Sequence, residues 1–157
     1  MQKNKPIIMC VDDDPEVLAS IARDLRCKYR KDYRIVQANC VLEGMKTAEL
    51  IKKRGIPIAL FLVDQKMPEM SGTEFLSKMI HLHPESAKVL LTAYSDTEAA
   101  IVSINKIGLD HYLLKPWDPP EQKLYPHDIF ICCVLGRVFW LCGFSSSYIR
   151  LQLYKCL

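Results

Sequence analysis

Apolar and polar residues follow one another along this 157-residue chain in blocks that alternate between two periods. Pro6-Ile-Ile-Met-Cys-Val11 is an apolar run with no polar face, bounded by a proline and by acids, the pattern of a strand buried on both sides. From Pro15 the apolar residues fall at Val17, Leu18, Ile21, Ala22 and Leu25, one face of a helix, and proline suits its first turn. Tyr33 to Ala38 reads as a second strand. Leu42, Met45, Ala48 and Leu50-Ile51 then form a helical stripe that Gly55-Ile-Pro57 stops. Ile58 to Val63 has the strongest strand pattern in the chain. Phe75, Leu76, Met79 and Ile80 mark a helix after the loop to Gly72, ended by His83-Pro84. Lys88 to Leu91 predicts a fourth strand and Asp110 to Leu114 a fifth. Between them, Ser95-Asp-Thr-Glu98 has the spacing of a capping box opening a helix that runs to Ile107-Gly108. Repeated βα units with wholly apolar strands imply an α/β fold, a doubly wound five-stranded parallel sheet.

In such sheets the working groups lie at the carboxyl ends of the strands. The first predicted strand ends in Asp12-Asp13-Asp14, the third in Asp64, the fourth in Thr92 and the fifth in Lys115-Pro116. A lone aspartate after a strand is more often a helix cap, a role that Asp14 suits. Acids, a hydroxyl and a lysine at successive strand ends are another matter. Carboxylates gathered at one edge repel one another and call for a compensating cation, and oxygen donors suit a hard ion such as Mg²⁺, or Mn²⁺ in its place.

Four stretches resemble the receiver domains of two-component response regulators, a flavodoxin-like fold. They are Ile7-Ile-Met-Cys-Val-Asp-Asp-Asp-Pro15, Leu62-Val-Asp-Gln-Lys-Met-Pro-Glu-Met-Ser-Gly72, Leu90-Leu-Thr-Ala-Tyr94 and Tyr112-Leu-Leu-Lys-Pro116. The resemblance covers roughly residues 5–126. Around residues 96–101 and 108–120 it is nearest to receivers fused ahead of a flavin-dependent thioredoxin-reductase-like module, although no Gly-x-Gly-x-x-Gly or Cys-x-x-Cys for such a module occurs here. The resemblance implies that Asp64 is the phosphoacceptor. It implies that Asp13, Asp64 and the backbone carbonyl of Lys66 hold Mg²⁺, with Asp12 acting largely through a water. Lys115, the Thr92 hydroxyl and the Ala93 amide would receive the phosphoryl oxygens, because charge building on those oxygens must be neutralised for a carboxylate to attack phosphorus. Thr92 and Tyr112 would form the switch, the aromatic turning inward as the threonine moves. Lys115-Pro116 resembles the family's cis peptide, Met67-Pro68 would stiffen the loop after the acceptor, and Gly72 would let it turn. The implied donor is a sensor histidine kinase or phosphotransfer protein, or a small phosphodonor, and the output an unidentified protein partner or a homodimer. Such a domain is no enzyme beyond catalysing its own aspartyl phosphorylation and dephosphorylation.

Composition narrows the setting. Half the residues are apolar and a quarter charged, as in ordinary globular proteins, and the formal net charge of +3 comes mostly from residues 127–157. No basic stripe with interleaved aromatics supports nucleic-acid binding. Seven cysteines, odd in number and without Cys-x-x-Cys spacing, support neither a disulfide framework nor a zinc site, so a reducing cytoplasm is expected. The receiver-like unit is expected over residues 1–126. Residues 127–157 form an atypical tail, rich in cysteine and nearly all apolar from Ile129 to Phe144; that stretch, with Arg137 near its middle, is shorter than the about 20 residues a membrane span needs. Two competing readings remain open. One is a receiver remnant that serves only as an interaction domain. The other is an aspartyl-phosphate phosphatase of the haloacid-dehalogenase type, which would require an aspartate where Lys66 stands.

Lys66 and Tyr94, each two residues beyond a site residue, are expected to overhang the acceptor and hinder the in-line water. Decay of the acyl phosphate after donor removal should therefore be slow and should quicken in a Lys66→Asn, Tyr94→Ala double variant. Fast decay that the double substitution leaves unaltered is the opposing result.

Overall fold

The computed structural model describes residues 5–93 and 108–115. In chain order these form β1 (Ile7–Val11), α1 (Pro15–Tyr29), β2 (Arg34–Ala38), α2 (Val41–Lys53), β3 (Ile58–Asp64), α3 (Gly72–Leu82), β4 (Ala87–Thr92) and β5 (His111–Leu114). The five strands make one sheet in the order β2-β1-β3-β4-β5, and every pairing is parallel. The expected doubly wound sheet is thus the one observed, with strand ends moved by a residue at most. The predicted helix from Ser95 and the tail 127–157 lie outside the described residues.

Alternation along the strands sorts the core into two layers. Ile7, Met9 and Val11 of β1 join Phe61 and Val63 of β3 beneath Val41, Ala48, Ile51, Phe75, Leu76 and Met79 of α2 and α3. Ile8 and Cys10 face the other way, with Leu60, Leu62, Val89 and Leu91, and meet Leu18, Ile21 and Leu25 of α1. Both faces of the central strands are therefore covered, which is why β1, β3 and β4 are buried at every position and their sequences lack a polar period. Phe61 and Phe75, both fully buried, meet edge to face with centroids 6.2 Å apart and fasten α3 to the sheet. Cys10 lies in the second layer, where burial pushes its thiol up to about 12, so it acts as an apolar filler.

The helix ends obey local chemistry. Asp14 caps α1, its carboxylate accepting from the amides of Glu16 and Val17. Helix α2 stops at Lys53, and Gly55 follows with φ of +65°, a left-handed conformation that glycine adopts without strain. One expectation fails inside α2. Leu42 and Leu50, counted in its apolar stripe, are 53% and 47% exposed, and the buried residues are Val41, Gly44, Ala48 and Ile51. The helix is turned about one residue from the face its leucines suggest. A Cβ on Gly44 would lie 3.1 Å from the Phe75 ring, so this face of α2 is chosen for small residues that admit α3 rather than for the largest apolar ones.

His83, which caps the end of α3, is buried with Nε2 3.1 Å from the Ala48 carbonyl and its ring edge-on to Phe61. Burial holds its pKa below the ordinary value of 6.5, although the contact with the Ala48 carbonyl opposes that. The unfolded chain takes up a proton at pH values where the folded His83 stays neutral, so this residue's share of stability is complete above about pH 6.5 and is lost as pH falls below it. Denaturant melts of wild type and His83→Asn between pH 7.5 and 5 should show the wild-type advantage shrinking as the solution is acidified. A constant difference is the contrary outcome.

Candidate functional site

Parallel pairing brings the expected strand-end residues to one edge. Val11 pairs with Val63, so Asp12 and Asp64, the next residue on each strand, emerge side by side. Asp64 in turn pairs with Leu91 and Thr92 with Leu114, which places Thr92 and Lys115 beside them. Asp12, Asp64 and Thr92 are buried, at 1%, 5% and 0% exposure, whereas Asp13 is exposed.

Lys115 ties the edge together. Its ammonium lies 2.8 Å from Asp64 Oδ1 and donates to Asp12 Oδ2 at 2.9 Å, while its backbone amide donates to the Thr92 carbonyl at 2.8 Å. The other oxygens are also engaged: Asp12 Oδ1 accepts from the Asp14 amide at 2.9 Å, and Asp64 Oδ2 accepts from the Lys66 amide at 3.0 Å. The Thr92 hydroxyl donates to the Ala93 carbonyl at 3.2 Å. Tyr112 is half-buried against the layer that holds Phe61 and Phe75.

Burial raises the pKa of Asp64; the hydrogen bond and charge of Lys115 oppose this, and the Asp12 carboxylate adds to it. Burial alone would lower Lys115, but its hydrogen bonds to Asp64 and Asp12 outweigh that and raise it. One ammonium thus serves more than one carboxylate, which leaves excess negative charge at the edge. Asp12, Asp13 and Asp64 each offer an oxygen within 4.8 Å of the others. Oxygen donors at that spacing, two of them on buried residues and together carrying more charge than Lys115 neutralises, fit a hard divalent ion such as Mg²⁺.

The loop from β3 to α3 presents further groups. Met67 is buried in the first core layer, and Lys66 is exposed. Ser71 caps α3 in a reciprocal box, its hydroxyl accepting from the Glu74 amide and the Glu74 carboxylate accepting from the Ser71 amide. The Ser-x-x-Glu spacing was legible there and went unused. Gln65 was missed as well, and no local pattern marks it: its side-chain oxygen accepts from the backbone and hydroxyl of Thr73, eight residues on. The role expected of Gly72 also changes. Positive φ among the described residues occurs at Gly55 and Gly108, not there. Gly72 instead leaves room for close approach, since a Cβ would run into the Asp64 carbonyl oxygen and lie 2.9 Å from Leu90 Cδ1. Tyr94 and Pro116 lie outside the described residues, and with them the expected overhang and the cis peptide.

An acidic edge crossed by a lysine on a five-stranded parallel α/β sheet is an arrangement suited to a divalent cation together with an anionic group such as phosphate. The model of the response regulator receiver domain matches residues 8–124, and the chain belongs to that family, whose members act in phosphorylation-dependent two-component signalling and bind Mg²⁺ at an acidic pocket. The hydrogenase transcriptional regulatory protein HoxA of Cupriavidus necator is 29% identical over 119 residues, 76% of this chain and 23% of its own length. The transcriptional regulatory protein ZraR of Klebsiella oxytoca is 32% identical over 117 residues, 74% of this chain and 24% of its own. The chain therefore matches about a quarter of these relatives, at 23% and 24% of their lengths. Among solved structures, a CheY-like response regulator receiver domain protein from Methanospirillum hungatei superposes with a TM-score of 0.70 at 28% identity, covering 87% of this chain and 98% of that one.

Gly72→Ala should destabilise the domain by about 1–3 kcal/mol in denaturant melts, the usual size of an overpacking penalty. Because the collision falls on the Asp64 carbonyl, uptake of a phosphoryl group should drop as well. A variant as stable and as readily phosphorylated as wild type contradicts the close-approach role.

Proposed function

We propose that the chain is a signalling switch in which Asp64 accepts a phosphoryl group from a phosphohistidine on a sensor kinase or phosphotransfer protein, or from a small phosphodonor. The observation that carries this reading is the Asp64 carboxylate seated on the Lys115 ammonium beside Asp12 and Asp13. A carboxylate oxygen of Asp64 attacks phosphorus, the bond from phosphorus to the donor nitrogen breaks, and its electron pair leaves with the imidazole. The product is an acyl phosphate on Asp64.

Asp12, Asp13, Asp64 and the Lys66 carbonyl would hold Mg²⁺, which would supply positive charge to the incoming group. Lys115 supplies more: its ammonium, already 2.8 Å from Asp64, can turn to an oxygen of the transferred group as that group takes over negative charge from the carboxylate. The Lys66 amide holds Asp64 Oδ2 at 3.0 Å and so limits the directions from which the carboxylate presents itself. The Thr92 hydroxyl exchanges its bond to Ala93 for one to the phosphoryl group, and the Ala93 amide adds a second donor. Movement of Thr92 frees space that Tyr112, half-buried on the edge strand, turns to fill, and the surface around β5 changes for a partner.

On this reading the functional unit spans residues 1–126, followed by an atypical apolar, cysteine-rich tail over residues 127–157, and acts in the cytoplasm. No helix among the described residues is long and apolar enough to cross a membrane.

Incubation with Mg²⁺ and acetyl phosphate should add one phosphoryl group by intact mass, and the addition should vanish with chelator or in Asp64→Ala. Mg²⁺-dependent uptake that survives Asp64→Ala refutes the assignment. Absence of uptake in wild type favours the interaction-only remnant.

A further inference from the structure

The residue after the acceptor is bound at three points, one on β4 and two at the start of α3. The Gln65 amide donates to the Leu91 carbonyl of β4 at 2.8 Å. Its carbonyl accepts from the Gly72 amide at 3.0 Å. Its side-chain Oε1 accepts from the Thr73 amide at 3.2 Å and from the Thr73 hydroxyl at 2.8 Å. The first amides of a helix have no partner within the helix itself. In α3 those of Gly72 and Thr73 both go to Gln65, and that of Glu74 goes to Ser71. One residue thus closes the loop 65–71 on itself, pins it to β4 and takes up the first two amides of α3, the helix that Ser71 caps.

What lies inside that closed loop matters for Asp64. Lys66, directly after Gln65, donates its amide to Asp64 Oδ2, and burial of Met67 fixes the loop one residue further on. The Lys66 backbone is therefore held between two anchors, Gln65 and Met67. Gln65 is half-buried and contacts no site oxygen among the described residues, so its influence must pass through the loop.

We infer that Gln65 is a positioning residue for the acceptor loop: its side-chain clamp on Thr73 holds the Lys66 backbone where the carbonyl can join Asp13 and Asp64 around a divalent cation. This rests on the cation-binding part of the functional reading above. A leucine at position 65 keeps the volume and loses the oxygen that accepts from the Thr73 amide and hydroxyl. A neutral hydrogen bond of that kind corresponds to about a fivefold change in an equilibrium it supports.

The test is a calorimetric Mg²⁺ titration of the unphosphorylated chain, with thermal melts run alongside. Gln65→Leu loses two such bonds and should bind Mg²⁺ at least about fivefold more weakly than wild type, the factor for one of them. Gln65→Glu retains the acceptor and should restore binding, measured in high salt so that its added charge is screened. A structural role alone would lower the melting temperature of Gln65→Leu and leave the Mg²⁺ affinity of the folded variant unchanged, and that result overturns the inference. Failure of Gln65→Glu to restore binding also counts against it. If Gln65→Leu does not fold, Thr73→Val removes only the hydroxyl half of the clamp; weaker Mg²⁺ binding is again expected, and unchanged affinity again overturns it. Wild-type protein that binds no Mg²⁺ defeats the functional reading itself, whereas wild-type binding matched by Gln65→Leu defeats only the role of Gln65.

Discussion

Among the described residues, two buried carboxylates at the ends of adjacent strands, Asp12 and Asp64, stand beside a single ammonium, and the rest of the site depends on that imbalance. Neither acid can be left unpaired in such surroundings without a heavy desolvation cost. Lys115 supplies part of the compensation, from a strand that the chain reaches 103 residues after Asp12. The remaining negative charge makes the edge receptive to a divalent cation, and a cation there in turn makes it receptive to a phosphoryl group. A stability-optimised core would replace this cluster by apolar residues of similar size; its retention at the edge of a close-packed sheet is the sign of a working site.

The sheet supplies the precision. β1, β3 and β4 are covered on both faces, so none can slide without exposing a layer of core, and their carboxyl ends hold Asp12, Asp64 and Thr92 in register. The β3–α3 loop supplies what the strands cannot. It is drawn tight by Gly72, whose missing Cβ admits the Asp64 carbonyl, and by the bonds of Gln65 and the burial of Met67. On the other side of Asp64, the Thr92 hydroxyl is held, among the described residues, only by the neighbouring Ala93 carbonyl at 3.2 Å. That bond, longer than the usual hydroxyl distance, costs little to exchange, which suits the movement proposed for Thr92. Rigidity around the loop after Asp64 and looseness at Thr92 fit the proposed reaction in one place and the proposed change of shape in another.

Much of this was legible residue by residue. Runs without a polar period announced buried parallel strands, the proline at position 15 and the acid before it announced the start of α1, and Gly55 announced the end of α2. The site was legible because chemistry-bearing residues recur at strand ends, and a parallel sheet leaves only one edge where strand ends can gather. The misreadings have a common cause. Leu42 and Leu50 were assigned to the core by residue type, yet α2 meets α3 through Gly44, and which face is buried depends on Phe75 across the gap. Gly72 suggested a turn, because nothing local distinguishes a glycine that bends from one that makes room.

By itself the sequence determined the element types, their order and the identity of the acidic edge, since these follow from periodicity, capping chemistry and the chirality of parallel connections, all local properties. The tertiary structure decided which carboxylates share the Lys115 ammonium, which side of α2 is buried, and that Gln65 ties the acceptor loop to the helix after it. Those outcomes depend on distances between residues far apart in the chain, and such distances are set only when the layers have packed.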